Sequence, residues 1–540
     1  MSSNSPSINI DMDAVRGYMR SASGIPEQPL SEIRAFLRSL DQRAQVYDDH
    51  MARLQSQISL LRTHREAVDK KRRSLRAALA PIQFLPNSLL TRIFRFVTDD
   101  TSYTHGSSPR PRLSPVPFRL ASVCSRWQSL CLSCADLWTE LVINLTRGPR
   151  ILPVLDWYLE RSQKRPLTLH IVYDAMPIGS VLVDHTVIEK LASFTSRWQH
   201  VTFTGPALPF LVPRLQGLDF PIVESLKFNV GFWADLGPFV RAPNLLKIMT
   251  QNQNIRPNQA VLRQITNLTY PTSSQGGNLH DILALCSNLD SLKIMDYDKE
   301  SAVSPHSTRS SILPTLTSLW VHSENYSFAL LRSLSTPALT SLRLQHGQFI
   351  PQVNVNTISY IPDCLDRSGC SLTKLTITLA WTDNQVIALL QRLPKLEELV
   401  IQEIYDQTPG QPSPLTDKLM NSLHGLSPLP IIPCLRALGL MVYNRDKFNT
   451  KSFADMVVSR WHPGKLEEAG TADDPITIKP TYVACIRLVQ LGLLGQSSIK
   501  DEEHLPLIHL RKMGLHFNVF NMTSSEPVYY SLPAWKDLVQ

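Results

Sequence analysis

The stretch FLPNSLLTRIFRFV, residues 84–97, followed after a polar interval by PFRLASVCSRWQSLCLSCADLW, residues 117–138, decides how this chain is read. Leu85-Pro86 opens a helix, since proline is tolerated where no intrahelical donor is needed. Leu89, Leu90, Ile93, Phe94 and Val97 then recur at helical spacing and form a wide apolar stripe. A second helix is expected to carry Leu120, Val123, Cys124, Trp127 and Cys131 on one side, with Leu137-Trp138 behind it. So many large apolar groups exceed what a short bundle can bury alone. The pattern therefore predicts a module completed by a partner.

This order of motifs resembles the F-box, a small helical bundle that docks a substrate receptor onto a ubiquitin ligase. The resemblance implies that Leu85, Pro86, Leu89, Ile93, Val123, Cys124 and Trp127 touch the small adaptor of an SCF-type ligase and, through it, the cullin. There are two departures. Ser88 stands where many F-boxes carry a glutamate, and the Ser- and Pro-rich stretch Asp99–Pro117 separates the helices. A loop can lengthen there at little entropic cost, and neither departure removes an apolar anchor.

Working outward to the N-terminal side, apolar positions alternate by four and three from Ile33 through Leu37, Leu40, Ala44, Tyr47, Met51, Leu54, Ile58 and Leu61 to Leu79. A coiled-coil-like helix over residues 31–80 is the natural reading, with a homodimer through residues 33–79. Arg65 and Arg72 fall in the seam and weaken its second half, and Pro81 ends the helix. The run Lys70-Lys71-Arg72-Arg73 fits a solvated helix face better than an import signal. Residues 1–30, polar and Ser/Pro-rich, are expected to be disordered. A heptad helix running into an F-box also resembles a large group of F-box proteins of mushroom-forming fungi.

On the C-terminal side one phrase returns: leucine, two residues, leucine, one residue, an apolar residue. It stands at Leu289/Leu292/Ile294, Leu316/Leu319/Val321, Leu339/Leu342/Leu344, Leu372/Leu375/Ile377, Leu396/Leu399/Ile401, Leu435/Leu438/Leu440 and Leu488/Leu491/Leu493. Weaker copies stand at Trp198/Val201/Phe203 and Val223/Leu226/Phe228. Period and phrase resemble leucine-rich repeats, in which a short parallel strand and a return segment stack on their neighbours because no unit buries its own apolar face. The asparagine or cysteine usual after the last apolar position is missing, so the solenoid should be irregular. Residues between the leucines point away from the core. Aligning the phrases sets Trp320 beside Arg343, with Lys293 and Thr376 extending the row and His322 one step along the strand. Trp and Arg often dominate binding energy, so these five residues are the expected target-binding surface.

The expected fold is thus α+β / α/β and multidomain. A long N-terminal helix leads to an all-α bundle over 81–145, an irregular α/β solenoid of parallel strands over 146–525, and a tail or cap over 526–540. The expected function is that of a substrate-recognition subunit of an SCF-type E3 ubiquitin ligase. The alternative is a protein-interaction scaffold that uses the bundle without ubiquitin transfer.

Composition agrees with a folded, non-catalytic chain. The net charge of +8 is concentrated, since residues 31–80 hold 11 Lys/Arg against 6 Asp/Glu. The long C-terminal part lacks the basic, aromatic-rich patch of a nucleic-acid platform, so no nucleic acid is expected. No signal pattern and no membrane-length apolar run occur, which points to the cytoplasm or nucleus and to no membrane partner. Eight irregularly spaced cysteines read as free thiols in a reducing compartment. Cys131-x-x-Cys134 lacks the second ligand pair that a structural zinc needs. No phosphate loop, dinucleotide fingerprint or nucleophile elbow occurs, so neither metal, cofactor nor enzyme activity is expected.

If residues 33–79 self-associate, Leu54→Glu with Ile58→Glu places charge in the seam and converts a dimer to a monomer. Light scattering on the purified chain at tens of micromolar checks this. A monomeric native chain would dispose of the idea.

Overall fold

A computed structural model of the chain describes residues 11–20, 27–100, 116–173, 185–205, 207–229, 234–251, 255–272, 279–296, 310–323, 328–346, 360–378, 381–403, 413–427, 430–443, 448–462, 483–494 and 501–522. The middle of the Asp99–Pro117 interval and the 526–540 tail lie outside these residues. The chain divides into two compact units, Met1–Ile93 and Phe94–Gln540.

The first unit is helical. Helix α1 spans Met12–Arg20 and α2 spans Glu27–Ala78. At 52 residues α2 is about 78 Å long. Helix α1 and the start of α2 lie within the stretch 1–30, whose residues 1–10 and 21–26 lie outside the described residues. Asp13 in the first turn of α1 and Arg20 in its last complement the helix dipole, and Arg16 pairs with Asp13 at 3.2 Å. Along α2 the heptad side chains Leu37, Leu40, Tyr47, Met51, Leu54, Ile58, Leu61, Val68 and Leu75 are exposed. Asp69 pairs with both seam arginines, 3.7 Å from Arg65 and 3.0 Å from Arg72, which tempers their charge.

Helix α3, Asn87–Asp100, carries the chain into the second unit, where α4, Val116–Ala121, and α5, Ser125–Ser133, follow. The single helix expected over Leu120–Cys131 is thus two. Cys124 adopts an extended backbone (φ −162°, ψ 167°) and stands at the N-cap of α5. Phe118 on α4 packs edge-on against Trp138 at 5.3 Å and Tyr158 at 5.9 Å, and Trp138 Nε1 donates to the Cys131 carbonyl at 2.8 Å. Asp136 binds both Arg95 and Arg165. These contacts seat the short helices on the first layers of a sheet.

That sheet has 14 strands among the described residues, every neighbouring pair parallel and in chain order. They are β1 Glu140–Asn144, β2 Leu167–Val172, β3 Trp198–Thr204, β4 Ser225–Asn229, β5 Lys247–Thr250, β6 Asn267–Thr272, β7 Ser291–Asp296, β8 Ser318–Ser323, β9 Ser341–His346, β10 Lys374–Thr378, β11 Glu398–Gln402, β12 Ala437–Val442, β13 Leu488–Leu494 and β14 His516–Met522. The first strand thus falls inside the stretch 81–145. One face of the sheet is the core: Leu292, Leu319, Leu342, Leu375, Leu399 and Leu438 lie side by side in register and all are buried. Burying one such leucine contributes about 1.5–3 kcal/mol. Helical returns between strands start at capping residues: Asn258, Thr382, Thr416 and Asn449 each accept backbone amides of the helix that follows.

At the entry to strands β5 to β13 a backbone spine sets the register. Two successive amides of one layer donate to one carbonyl of the layer before it. Asp290 and Ser291 donate to Thr266 O, Thr317 and Ser318 to Asp290 O, Thr340 and Ser341 to Thr317 O, Thr373 and Lys374 to Thr340 O, and Glu397 and Glu398 to Thr373 O, all at 2.8–3.0 Å. Arg436 with Ala437 and Arg487 with Leu488 continue it. Threonine hydroxyls reinforce the spine, since Thr317, Thr340 and Thr373 also donate their Oγ1 to these carbonyls.

The spine corrects the last leucine phrase. The copy expected at Leu488/Leu491/Leu493 is shifted by two residues, because Leu438 pairs with Val489 and Leu440 with Leu491. Ile486, Val489 and Leu491 are the residues that enter the core there. Strands β1, β2, β5, β6 and β14 add layers that the phrase does not mark.

Arg460 locks the C-terminal returns from inside. It is fully buried, and its guanidinium donates to the carbonyls of Leu423, Ile432 (3.2 Å) and Ile431 (2.9 Å). Arg460→Met keeps the stem and orphans these acceptors, so stability in a urea titration should fall by on the order of 3 kcal/mol. An unchanged midpoint would show that water replaces the guanidinium without loss.

Candidate functional site

The sheet face opposite the leucines carries the candidate site. At one register position successive strands β4 to β11 present Lys227, Met249, Thr269, Lys293, Trp320, Arg343, Thr376 and Val400. Lys293 and Arg343 stand on the two strands that flank Trp320, so they approach its indole from opposite sides. Lys293 Nζ lies 3.4 Å and Arg343 Cζ 4.3 Å from a ring centroid of Trp320. Each such contact stabilises by about 1–2 kcal/mol where water is partly excluded. Next along the strands, His322 sits beside Gln345 and Met295.

The electrostatics of this row are those of gathered positive charge. Burial, then Arg343, then Lys227 push the Lys293 ammonium down to about 8. Burial, then Lys293, then Arg343 hold the His322 imidazole down at about 4, so it is neutral at physiological pH. Burial also lowers Lys227. Gln345 is 2 % exposed, and among the described residues its Oε1 makes no hydrogen bond. The five residues expected on this surface, Lys293, Trp320, His322, Arg343 and Thr376, all lie on adjoining strands and are half-buried. Lys227 escaped the sequence reading. Its signal was there: it stands between the apolar residues of the weak phrase Val223/Leu226/Phe228, as Lys293 does in its own.

The residues expected at an adaptor fall in both units. In the first, Leu85 caps the one-turn helix Pro81–Phe84 in an extended conformation, and the Pro86 carbonyl accepts the Leu90 amide at 3.1 Å as α3 begins. Leu89 and Ile93 are 46 % and 40 % exposed, one turn apart, and Val97 continues their line at 41 %. Leu90 and Phe94 on the adjoining side of α3 are buried. The helix is thus apolar on two faces and buries one. In the second unit Val123 is exposed, Cys124 is half-buried, and the Trp127 ring lies 4.7 Å from that of Phe94.

Other chemistry is sparse. All eight cysteines are free, and burial, then Cys134, raises the Cys131 thiol to about 11. Among the described residues no group of three or more His, Cys, Asp and Glu could hold a metal ion, and no helix is long and apolar enough to cross a membrane. No family model matches the chain, and no curated protein matches it.

The lowered Lys293 value has a consequence for stability. Its folded-state value of about 8 lies below the ordinary 10.5, so the unfolded chain binds the extra proton between those pH values and stability rises with pH across that window. Lys293→Met should therefore be more stable than the native chain at pH 7, with an advantage that shrinks as the pH approaches 10. Urea titrations of both proteins across that range measure it. A constant difference would contradict the assigned burial cost.

Proposed function

We propose that the chain is a substrate receptor of an SCF-type ubiquitin ligase. Its segment 85–138 would hold the small adaptor and, through it, the cullin, while the outer face of the sheet takes a target protein. The observation that supports this reading is the second apolar face of α3, where Leu89, Ile93 and Val97 are exposed while Leu90 and Phe94 on the adjoining side of the helix are buried. Singly exposed leucines are ordinary. A line of large apolar side chains on one helix, with a buried line beside it, fits a surface that a partner covers. The motif order of the sequence supplies the partner's identity. The exposed heptad line of α2 fits a second copy of the chain.

Under this reading the receptor performs no bond chemistry. It raises the effective concentration of its target near a charged ubiquitin-conjugating enzyme and restricts their approach. The second reading, a scaffold that binds the adaptor without ubiquitin transfer, shares the same docking face and differs in what is recovered with it.

Leu89→Asp with Ile93→Asp changes two exposed positions and should leave the fold intact. Capture of adaptor and cullin from cell extract should fall by about tenfold or more, each desolvated aliphatic contact being worth about 1.5–3 kcal/mol. Undiminished capture would sink the assignment. Recovery of adaptor without cullin by the native chain would favour the scaffold.

A further inference from the structure

We propose that α2 pairs with α2 of a second copy of the chain in antiparallel orientation, so that the cationic half of each helix lies along the acidic half of the other. The proposal rests on the reading that the exposed heptad line takes a second copy, and it adds the direction of the pairing.

Charge along the helix is one support. Residues 27–52 hold five Asp/Glu against three Lys/Arg, a net of −2, whereas residues 53–78 hold two against eight, a net of +6. A parallel pair sets +6 beside +6 along the second half. An antiparallel pair sets +6 beside −2 at both ends. Side chains that flank a seam lie within about a Debye length of one another, so salt does not erase the difference.

The seam favours the same direction independently. Arg65 and Arg72 occupy the same heptad position as Leu37, Met51 and Ile58. In a parallel pair equivalent positions meet, so each arginine faces its own copy. Asp69 offers one carboxylate to both guanidiniums of its own helix, at 3.7 and 3.0 Å, which leaves that half of the seam net positive. Reversing one helix changes every partner. With Leu54 set opposite Ile58 at the centre, the four-three spacing stays in step to both ends of the heptad line. Arg65 then meets Tyr47, and Arg72 meets Leu40. Asp48 and Asp41 stand next to these partners, at positions that flank the seam. An arginine there packs its stem on the apolar side chain and turns its guanidinium to the flanking carboxylate. The Tyr47 ring also offers Arg65 an aromatic face. Leu40, Tyr47, Leu54 and Ile58 are all exposed, and so are both arginines.

Direction sets geometry. Leu79 of one helix comes to lie beside Ile33 of the other, which puts the two copies of Leu79 about 70 Å apart. Each chain thus leaves its helix toward Pro81–Phe84 at an opposite end of the pair, with room for an adaptor at each. A parallel pair would bring the two exits together.

The test is sedimentation equilibrium of the full chain at concentrations up to tens of micromolar, with circular dichroism as the check on helix content. Leu40→Lys sets a lysine against Arg72 of the other copy and should raise the dimer Kd about tenfold or more. Adding Arg72→Glu turns both contacts of the dimer into Lys–Glu pairs and should return the Kd to within about threefold of the native value. Such a rescue cannot arise inside one helix, where positions 40 and 72 are about 48 Å apart. Leu40→Lys with Arg53→Glu carries the same net charge, changes an exposed residue off the seam and should stay as weak as Leu40→Lys alone. No rescue by Arg72→Glu, or equal rescue by Arg53→Glu, would overturn the antiparallel pairing and leave self-association standing. A monomeric native chain would overturn both. Leu89→Asp with Ile93→Asp should dimerise as the native chain does, so failure of adaptor capture refutes the receptor reading without touching this one.

Discussion

A single carbonyl per layer governs this molecule. Where strands β7 to β13 begin, one backbone oxygen accepts two successive amides from the next layer, from Thr266 through Thr317, Thr340 and Thr373 to Arg436. The contact fixes which residue of one strand faces which of the next, whatever length of chain lies between them. That is why returns as different as those before β9 and β12 leave the leucines in line. A slip by one residue would turn every leucine to the outer face, and a slip by two would preserve the face and lose only the spine. Burial alone cannot select the register. The spine can.

Once the register is set, the outer face follows. The residues between the leucines are brought into rows that sequence distance conceals, and Lys227, Lys293, Trp320 and Arg343 come to share one line across the sheet. The core-facing leucines supply the stability against which that concentration of charge is tolerated. The apolar excess of α3 follows the same logic, since side chains that add nothing to their own core are held where another molecule can cover them.

Much of this was legible. The repeated phrase carried six adjacent strands and the neighbours of Trp320, because alternation and a preserved register are sequence properties. The heptads gave a continuous α2, though its start lay earlier, at Glu27. What stayed hidden has physical causes. Strands β5 and β6 place Thr250 and Tyr270 where the phrase has an aliphatic residue, so they carry no leucine signature. The last copy admits two frames that differ by two residues, and only the Arg436 carbonyl chooses between them. The break at Cys124 was invisible because helical spacing continues across it, although the backbone there is extended. The threonine that precedes Ser318, Ser341 and Lys374 was a visible signal of the spine, missed because the expected ladder was one of asparagine or cysteine.

The most direct test of the receptor account is calorimetric titration of the full chain with purified SCF adaptor at several temperatures. Burial of the Leu89, Ile93 and Val97 face predicts saturable binding at one adaptor per chain, with a binding enthalpy that becomes more negative as temperature rises. Absence of saturable binding, with adaptor and chain both folded and at tens of micromolar, would contradict the account.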